Sequence, residues 1–487
     1  MGTPLAPSVS RARSAALAAL CVLAVAGGPG AAPGAGAVAA KPAAHGPHGG
    51  VAGVWRMDGY GTVVVIEGRS LRTYDTSAVH CVPGGLKGRQ RGGEGPGGRR
   101  TYAAADSGDV TVRAETRERA RLRIADSAGH RTLHRVGELP ERCAHKPERG
   151  PRAVFDVFWQ TYAENYPFFA ARGVDWRAVR ERYRPRVDAH TTDDELFSVL
   201  REMIEPLHDA HTAIDGGEGR RYAGVRPGTS PPTKEDIARI DKATDEAVGT
   251  EQRRWAGGAL SFAELPGEGG GEDEGRGPVG YLRVTRFQGF TEDGRYAADV
   301  AELDRALDAV FTERRTRSLR GLVLDLRFHA GGADPLGLRL AQRLTDRPYL
   351  AYAKRARNDP EHPDRFTPEQ PLHVTPHDGP VYTGRVAVLT GPLTVSAGET
   401  LTQALLGRDP APARIGGNTQ GAFSDTLDRS LPNGWSFALP NEEFLTADGR
   451  TFDGTGIPPT HRTPVFTEEE FATHRDSALR RARELLG

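Results

Sequence analysis

The chain carries no excess of charge of either sign: 64 lysines and arginines stand against 64 aspartates and glutamates over 487 residues. That balance excludes a protein organised around a polyanion, so no nucleic-acid partner is expected. Long apolar runs are lacking too. The run AALAALCVLAVA, Ala15 to Ala26, falls short of the about 20 apolar residues a bilayer-spanning helix needs, so no integral membrane span is expected. Cysteine is scarce, with three in the chain, and lysine stops at Lys354, which leaves no lysine after Ser396.

What is present near the N-terminus is an export pattern. Arg11 and Arg13 precede the apolar run, and small residues such as Ala37-Val38-Ala39 follow it, which predicts a signal peptide over 1–39 and a secreted, extracellular mature protein. Cys21 is preceded by Leu20 rather than by the small residue a lipoprotein cleavage site needs. Removing the signal leaves Cys81 and Cys143, an even number in an oxidising compartment, and the expectation is one disulfide between them.

With 38% hydrophobic and 26% charged residues the chain is ordinary for a soluble globular protein, long enough for two or three domains. Residues 40–50 read as a flexible linker. Over 51–150, short strand-like runs such as TVVVI alternate with glycine-rich breaks such as GGEGPGG, which predicts a small β-rich domain. Residues 151–214 form a helical subdomain. Its clearest helix starts at the capping box Thr192 to Glu195 and carries an apolar stripe of Leu196, Val199, Leu200, Met203, Ile204 and Leu207. Residues 215–277 are rich in glycine, proline and charge, and are expected to be a mobile insert with at most one or two helices. From 278 to 487 strands and helices alternate, so the expected fold class is α/β with a largely parallel sheet.

Functional residues in such sheets gather at the carboxyl ends of strands. Two segments sit there: RFHAGG after LVLDL, and TVSAGE after RVAVLT. Ser396 and Glu399 form a capping-box pattern, and a serine at a strand-to-helix turn is both a natural cap and a natural nucleophile. The Ala397 amide, with Gly331 or Gly332, offers donors for an oxyanion. A serine nucleophile needs a base. The missing downstream lysine leaves histidine, with His211 in LHDAH as the candidate and His208 and His329 as rivals. HDAH also reads as a two-histidine metal pair, but without a third ligand, so no metal is expected. Asp453, Glu399 and Asp325 are candidates for the carboxylate that orients the base.

The motifs FWQTYAENYPFF, GVDWRAVRERY, LHDAHT, GYLRV, GLVLDLRFHAGG, TVSAGE, IGGNTQGAF and FLTADGRTFDGTGIPPT occur in order. In this the chain resembles the tail-specific, or C-terminal-processing, serine peptidases, in the branch related to the tricorn protease core and the interphotoreceptor retinoid-binding protein repeats. The resemblance spans roughly 153–459. It implies a crotonase-like α/β peptidase core with Ser396 as nucleophile, His211 as general base, Asp453 as orienting acid, an oxyanion hole of Ala397 and Gly331, a protein or peptide substrate, and no cofactor. The chain departs from the family pattern at Asp453, where glutamate is usual, and at Ala210, where the tricorn branch has serine. The lysine of the tail-specific branch is here Ala422, and 215–277 is too short for a PDZ domain. The resemblance leaves two rivals open: a binding protein for a small hydrophobic ligand on the same fold, and an esterase.

Overall fold

The computed structural model describes residues 50–104, 108–266 and 277–487. The expected signal peptide and all of the linker except Gly50 lie outside them. The β-rich expectation resolves into a closed barrel of eight strands: β1 (Gly53–Met57), β2 (Thr62–Glu67), β3 (Ser70–Thr76), β4 (Cys81–Gly95), β5 (Arg99–Ala104), β6 (Asp109–Ala114), β7 (Arg119–Ile124) and β8 (Arg131–Val136). Antiparallel pairing of Val54 with Val136 closes it. The period of two decides its inside: β7 buries Ala120 and Leu122 and exposes Arg119, Arg121 and Arg123. The glycine-rich stretch 92–98 corrects one expectation. Its first four residues extend β4 instead of breaking it, through a register shift against β5 between Arg91 and Gly95. Gly92, at φ 67°, supplies the conformation such an irregularity needs. Cys81, at the start of β4, is disulfide-bonded to Cys143.

Three helices follow: α1 (Pro151–Asn165), α2 (Trp176–Tyr183) and α3 (Asp193–Ile204). The Thr192 capping box is formed, and the expected stripe on α3 is buried. Trp55, Tyr102 and Leu122 of the barrel share one apolar core with Phe158 and Leu200 of the helices and Phe437 beyond them. The barrel is thus fused to the helical subdomain rather than tethered to it.

The expectation of a mobile segment is corrected over 215–266; residues 267–276 of it lie outside the described residues. The chain there forms β9 (Ala213–Gly217), β10 (Arg220–Ala223), α4 (Lys234–Val248), β11 (Arg253–Trp255) and β12 (Leu260–Leu265). Helix α4 starts at a second capping box, Thr233 with Asp236, and ends at Gly249 in the left-handed region. The glycine and charge content masked short strands that neighbouring chain segments stabilise.

The remainder alternates as expected. In chain order it runs β13 (Val279–Val284), α5 (Tyr296–Val310), α6 (Glu313–Ser318), β14 (Gly321–Asp325), β15 (Phe328–His329), α7 (Asp334–Gln342), β16 (Tyr349–Ala356) and β17 (Gln370–Val374). It continues with β18 (Val386–Thr390), β19 (Leu393–Thr394), α8 (Ala397–Ala404), β20 (Ala413–Gly416), β21 (Thr426–Ser430), β22 (Ser436–Pro440), β23 (Glu442–Leu445), β24 (His461–Arg462), α9 (Glu468–Thr473) and α10 (Ser477–Leu486). The main sheet has the order β11-β12-β13-β14-β18-β20-β24. From β13 to β24 it is parallel, while β11 and β12 from the supposed insert add an antiparallel edge. β9 and β10 pair into a second sheet with β22 and β21, which ties the loop after α3 to the far end of the chain.

Candidate active site

Beyond the carboxyl ends of β14 and β18 the chain makes two further short strands, β15 and β19, which pair in parallel. They bring Gly331 and Ser396 together. Ser396 has φ 54° and ψ −118°, a conformation non-glycine residues rarely hold. Its N–H is pinned twice, to the Ala422 carbonyl at 3.1 Å and to Glu399 Oε2 at 3.2 Å. Ser396 and Glu399 take the places of a capping box, yet no side-chain cap bond ties down the serine hydroxyl, and the Glu399 N–H meets the Ser396 carbonyl at 2.7 Å. The backbone of this half-buried serine is held in place, while its side chain faces the Glu399 N–H in the capping-box arrangement without a hydrogen bond of good geometry among the described residues.

The oxyanion donors sort themselves by what they already bond. Gly331 donates its N–H to His329 Nδ1 at 3.1 Å. Among the described residues no bond engages the N–H groups of Gly332 or Ala397. Gly332 needs its glycine: at φ 124°, a Cβ there would stand 2.4 Å from the Phe287 carbonyl oxygen. His329, the rival base, is fully buried against Phe287 and Gly398. Burial pushes its imidazole down to about 3, so it stays neutral and serves the loop.

His208, the other rival, is exposed and takes the left-handed turn that ends the helical segment. His211 is buried, and its Nδ1 has no hydrogen-bond partner. Burial lowers its pKa, opposed by the charges of Asp209 and then Asp425. Asp209, inside the same motif, shapes this loop: Oδ1 accepts the His211 N–H at 2.9 Å, and Oδ2 accepts the Tyr166 hydroxyl at 2.9 Å and lies 3.5 Å from Arg172. Gly224, from the supposed insert, packs so closely on the loop that a Cβ would come 2.1 Å from the Asp209 carbonyl.

Asp453 accepts the Phe423 N–H at 3.3 Å and the Thr451 hydroxyl at 2.7 Å. Among the described residues no hydrogen bond joins it to His211. Withdrawal from water pushes its carboxyl well above the usual range, with repulsion from Asp209 adding to the effect. Arg172 bridges the two loops: it faces Asp209 and packs against Gly454, where a Cβ would meet its Nη1 at 2.1 Å. The other acidic candidates are otherwise engaged. Asp325 is locked in a buried pair with Arg327 and accepts the Tyr281 hydroxyl. Glu399 accepts the N–H groups of Gly421 and Ala422 as well as that of Ser396.

One cleft, of about 550 Å³ and open to solvent, lies against the loops of His211, Gly331 and Ser396; the Asp453 loop does not line it. Ala210, Ala330 and Val395, the chain neighbours of His211, Gly331 and Ser396, all line it, together with Val225, Pro231 and Pro232. No group of three or more histidine, cysteine or acidic side chains among the described residues is placed to hold a metal ion.

Sequence reasoning missed Asp209, Tyr166 and Arg172. Asp209 stands in the quoted LHDAH motif and was within reach; Arg172 gave no local signal, since its partners come from two distant loops.

Comparison with known proteins adds a family likeness. Residues 278–463 match the model of peptidase family S41, and residues 147–205 match that of the tricorn protease C1 domain. No curated protein matches the chain. Among solved structures, a putative peptidase from Parabacteroides merdae ATCC 43184 is similar over 70% of this chain and 97% of its own, with 24% identity and a TM-score of 0.55, a likeness of fold. The photosystem II D1 C-terminal processing protease aligns over 67% and 98%, with 16% identity and a TM-score of 0.41.

Proposed function

As a member of peptidase family S41 and a serine-type peptidase, this chain, we propose, is a secreted endopeptidase that cleaves peptide bonds with a triad of Ser396, His211 and Asp453. The observation that carries the reading is the single cleft lined by the chain neighbours of the base, the nucleophile and the glycine loop. Ser396 Oγ attacks the substrate carbonyl carbon. His211 takes the hydroxyl proton and returns it to the leaving amine. The N–H groups of Ala397 and Gly332, both without a partner among the described residues, stabilise the oxyanion.

Asp453 is the orienting acid in this reading. In this reading its bond to His211 Nδ1 is made in the substrate complex, since catalytic hydrogen bonds are often long or poorly aligned in the free enzyme. Arg172 between the two loops, and the shared 421–425 segment that touches both Ser396 and Asp453, support the placement. The apolar lining of the cleft favours an apolar substrate side chain next to the scissile bond. Export is supported by the basic residues ahead of the apolar run and by the Cys81–Cys143 disulfide, a bond typical of oxidising compartments.

Intact-mass labelling with a fluorophosphonate tests the assignment. One adduct on the wild type, none on Ser396→Ala and a strongly slowed adduct on His211→Ala are expected. Asp453→Asn is expected to slow labelling more than Asp209→Asn; the reverse order moves the orienting role to Asp209. Turnover of peptide against ester substrates separates a peptidase from an esterase.

A further inference from the structure

The barrel and the catalytic domain meet through buried charge. Arg131 on β8 is 5% exposed; its guanidinium stands 2.8 Å from Asp425 Oδ2, 3.8 Å from Glu442 Oε1 and 4.6 Å above the Tyr60 ring. Ser127, in the turn before β8, accepts from Arg131 at 2.7 Å and donates to the same Asp425 oxygen. The Tyr60 hydroxyl donates to Glu442. Lys354, 1% exposed, completes the cluster at 2.9 Å from Glu442 and 3.8 Å from Asp425. Three barrel residues thus grip two carboxylates of the catalytic domain. Such a cluster adds little net stability, but breaking it from one side is costly, because a charge is left buried without its partner.

Asp425 is also the last residue of a segment committed along its length to the active site. The Gly421 and Ala422 N–H groups donate to Glu399, the Ala422 carbonyl accepts the Ser396 N–H, and the Phe423 N–H reaches Asp453. Ser424 Oγ accepts the N–H groups of Asn441 and Glu442, which returns the segment to the same cluster. Five residues therefore run from the nucleophile's backbone to a carboxylate that the barrel holds.

We propose that Arg131 is a positioning residue for the nucleophile: by fixing Asp425 it sets the 421–425 segment that holds the Ser396 backbone, and the barrel is a working part of the peptidase. The proposal rests on Ser396 being the nucleophile. Its test uses the whole chain and a fluorophosphonate, with Arg131→Ala, Arg131→Lys and Asp425→Asn. Asp425→Asn keeps the shape and the Ser127 contact, so it remains informative if Arg131→Ala does not fold.

The expected result is a maximal labelling rate lowered about tenfold or more in Arg131→Ala and Asp425→Asn, with the half-saturating probe concentration within about twofold of wild type. Arg131→Lys, which keeps a cation, is expected to recover part of the rate, and the double variant to be no slower than the slower single one. Peptides covering 394–404 and 418–428 are expected to exchange amide hydrogens faster in both disruptive variants. Unchanged labelling rates in folded Asp425→Asn overturn the proposal, as does faster exchange confined to the barrel. If the wild type takes no adduct, the reading of Ser396 fails, and exchange over 394–404 still decides the coupling: no change in Asp425→Asn overturns it.

Discussion

Gly331 packs directly against Ser396: a Cβ built on Gly331 would stand 2.9 Å from the serine Cβ and 3.4 Å from its hydroxyl. At φ 85° the glycine also occupies backbone space closed to most residues. Gly331→Ala is therefore expected to cost about 1–3 kcal/mol from strain and to displace the serine hydroxyl. Thermal unfolding and the fluorophosphonate labelling rate check both parts; a variant of wild-type stability that labels at the wild-type rate contradicts this packing.

Ser396 itself stores backbone strain at φ 54° and ψ −118°. Ser396→Gly removes the hydroxyl and relaxes the backbone, so it is expected to abolish labelling while matching or exceeding wild-type stability, by up to about 1 kcal/mol. Ser396→Ala abolishes labelling without that gain. Denaturant titration of the two variants side by side separates strain from chemistry.

The pH dependence follows from His211. Burial lowers its pKa, so the imidazole stays neutral, and competent as a base, below the ordinary value of about 6.5. The acid limb of the labelling rate is expected to lie below pH about 6.5. The sign for stability agrees with that for reactivity: a depressed folded pKa gives stability that is present above the unfolded pKa and lost as pH falls through the folded one. A limb at or above the ordinary value counts against His211 as the base.

Glu399 behaves oppositely. Burial pushes its carboxyl up to about 7 despite three backbone donors. A raised folded pKa gives stability that is full below the unfolded value and lost as pH rises through 7. Glu399→Gln places a donor against backbone donors at one side-chain position and is expected to cost about 1–3 kcal/mol. The difference from wild type should shrink as pH rises from 4.5 to about 7, read from unfolding midpoints at each pH.

The Cys81–Cys143 disulfide spans 62 residues of sequence. Loop-closure entropy for that length implies about 4 kcal/mol of stabilisation. Reduction, or Cys81→Ser with Cys143→Ser, is expected to lower the unfolding temperature of the barrel measurably; an unchanged midpoint contradicts this.

Much of the site was legible in the chain because its residues sit in local patterns. The Thr192 box, the α3 stripe, the strand before the glycine loop and the TVSAGE turn each follow from neighbours a few residues apart. The supposed mobile insert was misread for the opposite reason. Its strands are short, β9 to β11 carry glycine or charge, and β9 and β12 find edges to pair with in β22 and β13. Composition cannot register a partner strand more than two hundred residues away, as β22 is from β9.

The sequence by itself determined the elements outside the segment after α3, the residue types available at Ser396 and His211, and the alternation that places both at loops, because periodicity, capping and turn preference are local properties of the chain. Tertiary structure alone decided which buried histidine is engaged by the glycine loop and which keeps an unpartnered Nδ1, which glycine N–H is left free among the described residues, and that Arg131 of the barrel holds the segment on which Ser396 rests. Those outcomes depend on contacts between residues up to several hundred positions apart, where burial and pairing, rather than local preference, set the energy.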